Sequence, residues 1–417
     1  MTTPGGIDRP ALARCVHVEP DQFAAGYWGR TFLHSTAADL AAAGRIPGYA
    51  DLLSLDDVDE LLSRRGLRTP FLRIAQEGKV LPSRQFTGSG GEGAEIADQV
   101  LDEKVLDRYA DGATLVLQGL HRLWPPLIDF AGALSAELAA PVGVNAYATP
   151  PANRGFATHY DTHDVFVLQV AGRKQWRVHE PVVPDPLEQE ASGGRPDEVG
   201  ARSDIPAVLE VVLAPGDALY LPRGWLHSAT ALGEQSLHLT VGVRAMSRYS
   251  LVGALFDLAR EEAALRSGFP VGLDVTDPEQ LAPHLQATLA ALQEWLGQVD
   301  ADRVAAQLRT RAWQATRPAP IRPLAQTAAM GKLDGDTVLA PRRGLHWQIT
   351  ASREDAVTVH LVDRTITVPA YCEPALRALL AGPSIRIGDL PQLDAADQLT
   401  LARRMLREAL VVPAEKG

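Results

Sequence analysis

The apolar positions of this chain change period three times between its first and last residues. The opening stretch carries Phe23-x-x-x-Tyr27-Trp28, then apolar residues at helical spacing, which predict a helix from Leu55 to Arg64. From Gly143 the pattern shortens into β-rich runs. Gly143–Tyr147 alternates and Val165–Val170 is almost continuously apolar. Val208–Leu213, Ala218–Leu221 and Leu237–Val243 follow. Turn residues separate them: Ala171-Gly172, Pro215-Gly216-Asp217 and Pro222-Arg223-Gly224. Many short strands broken in this way predict an antiparallel barrel or sandwich.

Beyond about residue 247 the period becomes helical. Leu251, Leu255, Leu258 and Leu265 share one face; Leu285, Leu289, Leu292 and the Trp295/Leu296 pair share another. Asp274 to Asp277, followed by Pro278, reads as a helix start. Such helices need an apolar surface to cover, either on a second copy of the chain or on the parent barrel. Pro318, Pro320 and Pro323 mark a linker. After it come strands at His346–Thr350, Ala356–Leu361 and Thr365–Val368, and helices at Glu373–Leu380 and Ala395–Ala409, an order compatible with a small winged-helix-like α+β module. The expected organisation is a β-rich region over 1–246, a helical region over 247–317 and the small module over 318–417.

Composition narrows the classes. The 417 residues are 46% hydrophobic and 22% charged, as in soluble globular proteins, and a net charge of −11 argues against direct nucleic-acid binding. Basic and acidic residues nearly balance in the last module, where a DNA-reading wing would be basic. The two cysteines, Cys15 and Cys372, form neither a metal motif nor a disulfide framework. No apolar run approaches the length of a membrane span, and residues 1–20 lack a signal-peptide core, so a cytoplasmic protein is expected. The run Gly88-Ser-Gly-Gly-Glu-Gly93 has no Lys-Ser/Thr after it and reads as a plain turn, not a phosphate cradle.

The chemistry begins at His159-Tyr160-Asp161. On a strand, positions i and i+2 point the same way, so an imidazole and a carboxylate meet on one face. A third metal ligand must come from elsewhere, and Pro222-Arg-Gly-Trp-Leu-His227 offers one. Two histidines and one carboxylate occupy one triangular face of an octahedral metal and leave the rest open, the arrangement of non-heme Fe(II) oxygenases. The open positions suit a bidentate 2-oxo acid and O2. Lys174 follows the Val165–Val170 strand and suits an anionic ligand, since a cation in a barrel mouth is costly without a partner. Asn145, one strand earlier, is a candidate donor to the same co-substrate.

Each of these signals alone has a plainer reading. His-x-Asp pairs occur on surfaces by chance, and a lysine after a turn is most often solvated. His163 reads as a strand-end histidine near the ligands, His238 as a satisfied core histidine, Arg173 as a solvated charge, and Trp176, Arg177 and Trp225 as packing. The order and strand context of the set carry the case.

At this point the run from Asn145 to Asp161, with Asp164–Gln169, Gly172–Arg177 and Pro222-x-Gly-x-x-His227, resembles the Jumonji C (cupin-like) ribosomal oxygenases. The resemblance implies a mainly β core, a double-stranded β-helix with flanking helices, followed by a helical dimerisation region and a winged-helix-like module. It implies metal ligation by His159, Asp161 and His227, co-substrate contacts from Lys174 and Asn145, and a substrate-side position for Tyr147. The implied requirements are Fe(II), 2-oxoglutarate and O2, and the implied partners are a ribosomal protein substrate and a second copy of the chain. Members hydroxylate histidine in the animal enzymes and arginine in a bacterial type; Lys174 stands where that bacterial type tends to use arginine. Three alternatives stay open: N-methyl demethylation, tailoring of a peptide or small molecule, and a non-enzymatic cupin binding protein.

Overall fold

In the computed structural model, described over residues 9–151, 157–353 and 355–414, the chain divides into two compact units, Met1–Ala245 and Met246–Gly417. Residues 152–156, within the motif that resembles the oxygenases, and 1–8, within the segment read for a signal peptide, lie outside the described residues.

Among the described residues, the first unit is built on thirteen strands. The early ones are β1 (Leu33–Ser35), β2 (Leu72–Gln76), β3 (Lys79–Val80), β4 (Thr87–Gly88), β5 (Gln99–Val100) and β6 (Thr114–Leu117). Then come β7 (Val142–Thr149), β8 (Asp164–Ala171), β9 (Lys174–His179), β10 (Leu209–Leu213), β11 (Ala218–Leu221), β12 (Leu226–Ala231) and β13 (Ser236–Val243). Eight of them form one sheet in the order β1-β11-β8-β13-β7-β6-β2-β3; β10-β9-β12 form a second. The pairings are antiparallel, with β13 between β7 and β8.

Strand parity decides what each face of the large sheet carries. Val144, Ala146 and Ala148, Phe166 and Leu168, and Leu237, Leu239 and Val241 all face a core completed by helical residues such as Leu127, Phe130 and Leu134. Burying each of the larger side chains favours folding by roughly 1.5–3 kcal/mol. The opposite face meets the small sheet. There Val165, Val167, Leu219 and Leu221 pack against Trp176, Val178 and Leu213. The two sheets thus form the double-stranded β-helix, and its interior lies between them.

Local signals place the connections. The helix expected at Leu55–Arg64 is present, opened by a reciprocal cap in which Ser54 Oγ accepts from Asp57 N–H and Asp57 accepts from Ser54 N–H. At the expected 215–217 turn, Asp217 Oδ2 accepts from Ala214 N–H. Gly172 turns β8 into β9 with φ +61°, and a Cβ there would fall 2.0 Å from the Gln235 carbonyl oxygen, so only glycine fits. The glycine-rich 88–93 stretch is the loop between β4 and β5 and lends no side chain to the interior pocket described below.

The second unit begins with helix Arg248–Ala259; Leu265 falls beyond it in a separate 3₁₀ turn, so it does not extend that helix's stripe. Helix Pro278–Leu296 starts where expected, with Asp277 accepting from Glu279 N–H, and Ala301–Ala315 follows. The three expected strands are present as Gln348–Arg353, Ala356–His360 and Thr365–Pro369, paired into one sheet, as are the helices Glu373–Ala381 and Ala395–Arg407.

Candidate metal centre

His159, Asp161 and His227 come together. One ligand atom from each lies within 4.8 Å of the others, and His227 Nε2 stands 3.7 Å from Asp161 Oδ2. Their backbone support differs from the strand expected under His159-x-Asp161. His159 forms an isolated bridge to His227, donating its N–H to His227 O at 3.1 Å and accepting from His227 N–H at 2.8 Å. Asp161 lies in irregular chain before β8, and its carbonyl accepts from Gly224 N–H at 2.9 Å. Gly224 adopts φ +87°, and a Cβ there would meet the Val183 carbonyl at 2.7 Å. The bend at 222–224 therefore seats His227 opposite His159 through backbone bonds.

The imidazoles are oriented for ligation. His159 Nδ1 lies 2.8 Å from Ala157 O, and His227 Nδ1 lies 3.0 Å from Trp225 O. A carbonyl can only accept, so each Nδ1 carries the proton and each Nε2 keeps its lone pair. Burial, then the neighbouring His159, pushes the His227 imidazole down to about 4, which keeps it neutral. Burial opposes ionisation of Asp161, but His227, His163 and His159 together hold its carboxyl below the usual range. Two neutral nitrogens and one carboxylate oxygen suit a divalent cation. Neither buried cysteine belongs to the set, so it is not a thiolate-closed structural zinc site.

These three residues line a pocket of about 50 Å³ with Tyr147, Val165, Val167, Lys174, Trp176, Ser228, His238 and others from both sheets. Lys174 is 2% exposed, and its Nζ donates to Thr149 Oγ1 at 3.0 Å. Burial alone lowers its ammonium to about 7. It is therefore not the solvated turn residue of the plainer reading. Tyr147 lies on the same wall, its hydroxyl pushed up to about 12 by burial and by Asp161. Asn145 shares that strand face with Tyr147, and its Oδ1 accepts from Gly119 N–H at 3.0 Å; it is not among the lining residues.

Two histidines gain definition. His163 lies outside the ligand set and packs over Gly242, where a Cβ would fall 2.6 Å from its Nε2. His238 is buried as expected but not satisfied: its Nδ1 has no hydrogen-bond partner among the described residues, and the side chain lines the pocket. The signal was present in Leu237-His-Leu-Thr-Val-Gly-Val243, whose strict alternation puts His238 on the face away from the leucines. Trp176 also lines the pocket, with an unpartnered Nε1. The packing reading holds for Trp225, edge-on to Phe32, whereas Arg177 is exposed and paired with Glu210 at 3.3 Å.

With this geometry established, comparison with known proteins shows what the chain is similar to. Residues 129–251 match the JmjC domain model, a span that contains all three ligands, Lys174 and His238. Over that span the chain is similar to the JmjC-domain proteins.

Among its relatives, the Aedes aegypti protein named bifunctional lysine-specific demethylase and histidyl-hydroxylase NO66 is 30% identical over 64% of this chain and 41% of its own length. Ribosomal oxygenase 2 of Rattus norvegicus is 37% identical over 37% of this chain and 34% of its own. The chain thus spans well under two thirds of these relatives. YcfD, a ribosomal oxygenase from Escherichia coli, superposes with a TM-score of 0.52 at 18% identity, covering 95% of this chain and 98% of that one. A further YcfD structure, in complex with cobalt and 2-oxoglutarate, superposes at 0.51. At that identity the likeness shows the fold.

Proposed function

We propose that this protein is an Fe(II)- and 2-oxoglutarate-dependent oxygenase that hydroxylates a side chain of a ribosomal protein. One observation carries the reading: an open His-Asp-His set shares a pocket with a buried lysine that has no carboxylate partner among the described residues. The relatives' names, demethylase and histidyl-hydroxylase or ribosomal oxygenase, support the substrate class.

His159 and His227 would hold the metal through Nε2 and Asp161 through its carboxylate. Iron and 2-oxoglutarate, when bound, supply the oxidising power that inserts one atom of O2 into a C–H bond, with succinate and CO2 as co-products. The protein supplies position and dryness. Lys174 takes up a proton as a carboxylate arrives, since the new partner offsets the burial that lowers its ammonium. Asn145 is assigned to the co-substrate side. Tyr147 keeps its proton at neutral pH and faces the substrate as a hydrogen-bonding wall. Val165, Val167 and Trp176 keep water from the centre.

The test incubates the chain with ribosomal proteins, iron and 2-oxoglutarate. A mass gain of about 16 Da, one oxygen atom, is the expected product. Formaldehyde release without that gain would assign demethylation instead. No product together with no 2-oxoglutarate turnover would sink the oxygenase reading.

The helical stretch over 247–317 is assigned to dimerisation, and 318–417 to a winged-helix-like protein-binding module. Tyr249, Val252 and Phe256 are exposed on one helix and Leu285, Leu289 and Leu296 on another, more apolar surface than water favours. Phe256→Glu is expected to halve the molecular mass measured by light scattering. No helix among the described residues is long and apolar enough to cross a membrane. A cytoplasmic protein without direct nucleic-acid contacts fits this and the net charge of −11.

A further inference from the structure

The pocket holds more hydrogen-bond donors than the protein uses. Lys174 has three N–H donors, one of them spent on Thr149 Oγ1. Beside it His238, 2% exposed, stacks on Tyr147 at 4.9 Å and 6° and meets Trp176 edge-on at 5.4 Å. Those two aromatics fix the ring. His238 sits where the β13–β8 register shifts, between Leu237 and His238, so that Leu237 faces Ala171 and His238 faces Gln169. A β-bulge is a common device for re-aiming a side chain beside a site.

His238 Nδ1 and Trp176 Nε1 are both buried without a partner among the described residues, and both side chains line the pocket with Lys174. The one carboxylate in the lining, Asp161, faces the two ligand histidines. A buried ammonium beside an unpartnered imidazole, with no acid between them, is an expensive arrangement. A carboxylate has two oxygens and about four acceptor sites, enough to take up these spare donors.

We propose that His238 is a second contact for the far carboxylate of the anionic 2-oxo acid, acting beside Lys174 and setting the pocket's preference for a dicarboxylate. The inference rests on the oxygenase reading. His238 donates a ring N–H from its neutral form, and Lys174 supplies the charge. Tyr147 acts as its positioning partner through the stack, so the substrate wall and the co-substrate anchor share one pair of rings.

The test is calorimetric titration of the full chain loaded with Mn(II), with 2-oxoglutarate and 2-oxobutanoate, which lacks the far carboxylate. His238→Phe is expected to weaken 2-oxoglutarate about ten- to hundredfold, the weight of one hydrogen bond to a charged group. It should leave 2-oxobutanoate and Mn(II) affinities within about twofold. Equal weakening of both acids would mean that His238 only shapes the pocket, and would overturn the inference. So would no change in either. Should His238→Phe not fold, His238→Leu carries the same comparison. A wild-type protein that binds 2-oxoglutarate poorly or not at all defeats the oxygenase reading and this inference together. That outcome differs from the inference failing alone, in which the wild type binds and the substitution is silent.

Discussion

The two faces of strand β13 do opposite work. Leu237, Leu239, Val241 and Val243 look outward into a core shared with Leu127 and Leu134, and each is fully buried among apolar neighbours. His238, Thr240 and Gly242 alternate with them and look inward. There one side chain lacks a partner, one lines the pocket, and one is small enough to admit the His163 ring. The outer face is closed chemistry, complete without a ligand. The inner face carries polar groups that cost stability until something binds. Strand parity lets one sheet hold the fold on one side and a reactive site on the other, so substitutions on the two sides should fail in different ways.

The largest effect is expected on the inner face. Asp161→Ala removes the only anionic ligand of the set, and 2-oxoglutarate turnover should fall to background while urea unfolding shows little loss. Retained turnover would show that the ligand set is wrongly assigned. On the outer face Phe166→Ala leaves a cavity beside Phe23 and Tyr220. It should cost about 3–5 kcal/mol in the same unfolding measurement, with Mn(II) affinity kept in the fraction still folded.

Lys174→Met sharpens the contrast through pH. The buried ammonium titrates at about 7 against an ordinary 10.5. Below pH 7 both folded and unfolded chains carry the charge, and the folded one bears the full burial penalty. Between about 7 and 10.5 the folded chain releases the proton first, so stability rises with pH across that window. Lys174→Met should remove that rise, add stability on the order of a few kcal/mol at pH 6, and abolish tight 2-oxoglutarate binding. A variant less stable than the wild type at pH 6 would contradict the unpaired-cation reading. The smallest effect belongs to neither face: Arg177→Ala breaks an exposed pair with Glu210 and should change stability by about 0.5 kcal/mol or less.

Much of this was legible in the sequence because it is local. The Ser54 cap, the turn at 215–217 and the runs of β8, β11 and β13 each follow from a few neighbouring residues. Strand β9 was not foreseen as a strand, since Lys174-Gln-Trp-Arg-Val-His179 places a lysine and an arginine among its apolar residues; the lysine turns out to face inward and the arginine outward. The expected strand under His159 and Asp161 became a single bridge, because the pairing partner that defines it lies across the pocket at His227. Arg173 was set aside correctly, being exposed and paired with Glu234. His238 was not, since satisfaction of a buried nitrogen depends on neighbours from other strands.

By itself the sequence determined which residue types stand on alternate positions of each strand, and that His159, Asp161, His227 and Lys174 were available to chemistry. Only the tertiary structure decided that β9 and β12 close over β7, β8 and β13, bringing those four and His238 into one pocket. The reason is range: side-chain parity is set within two residues, whereas a binding centre is set by contacts between segments that the chain order leaves far apart.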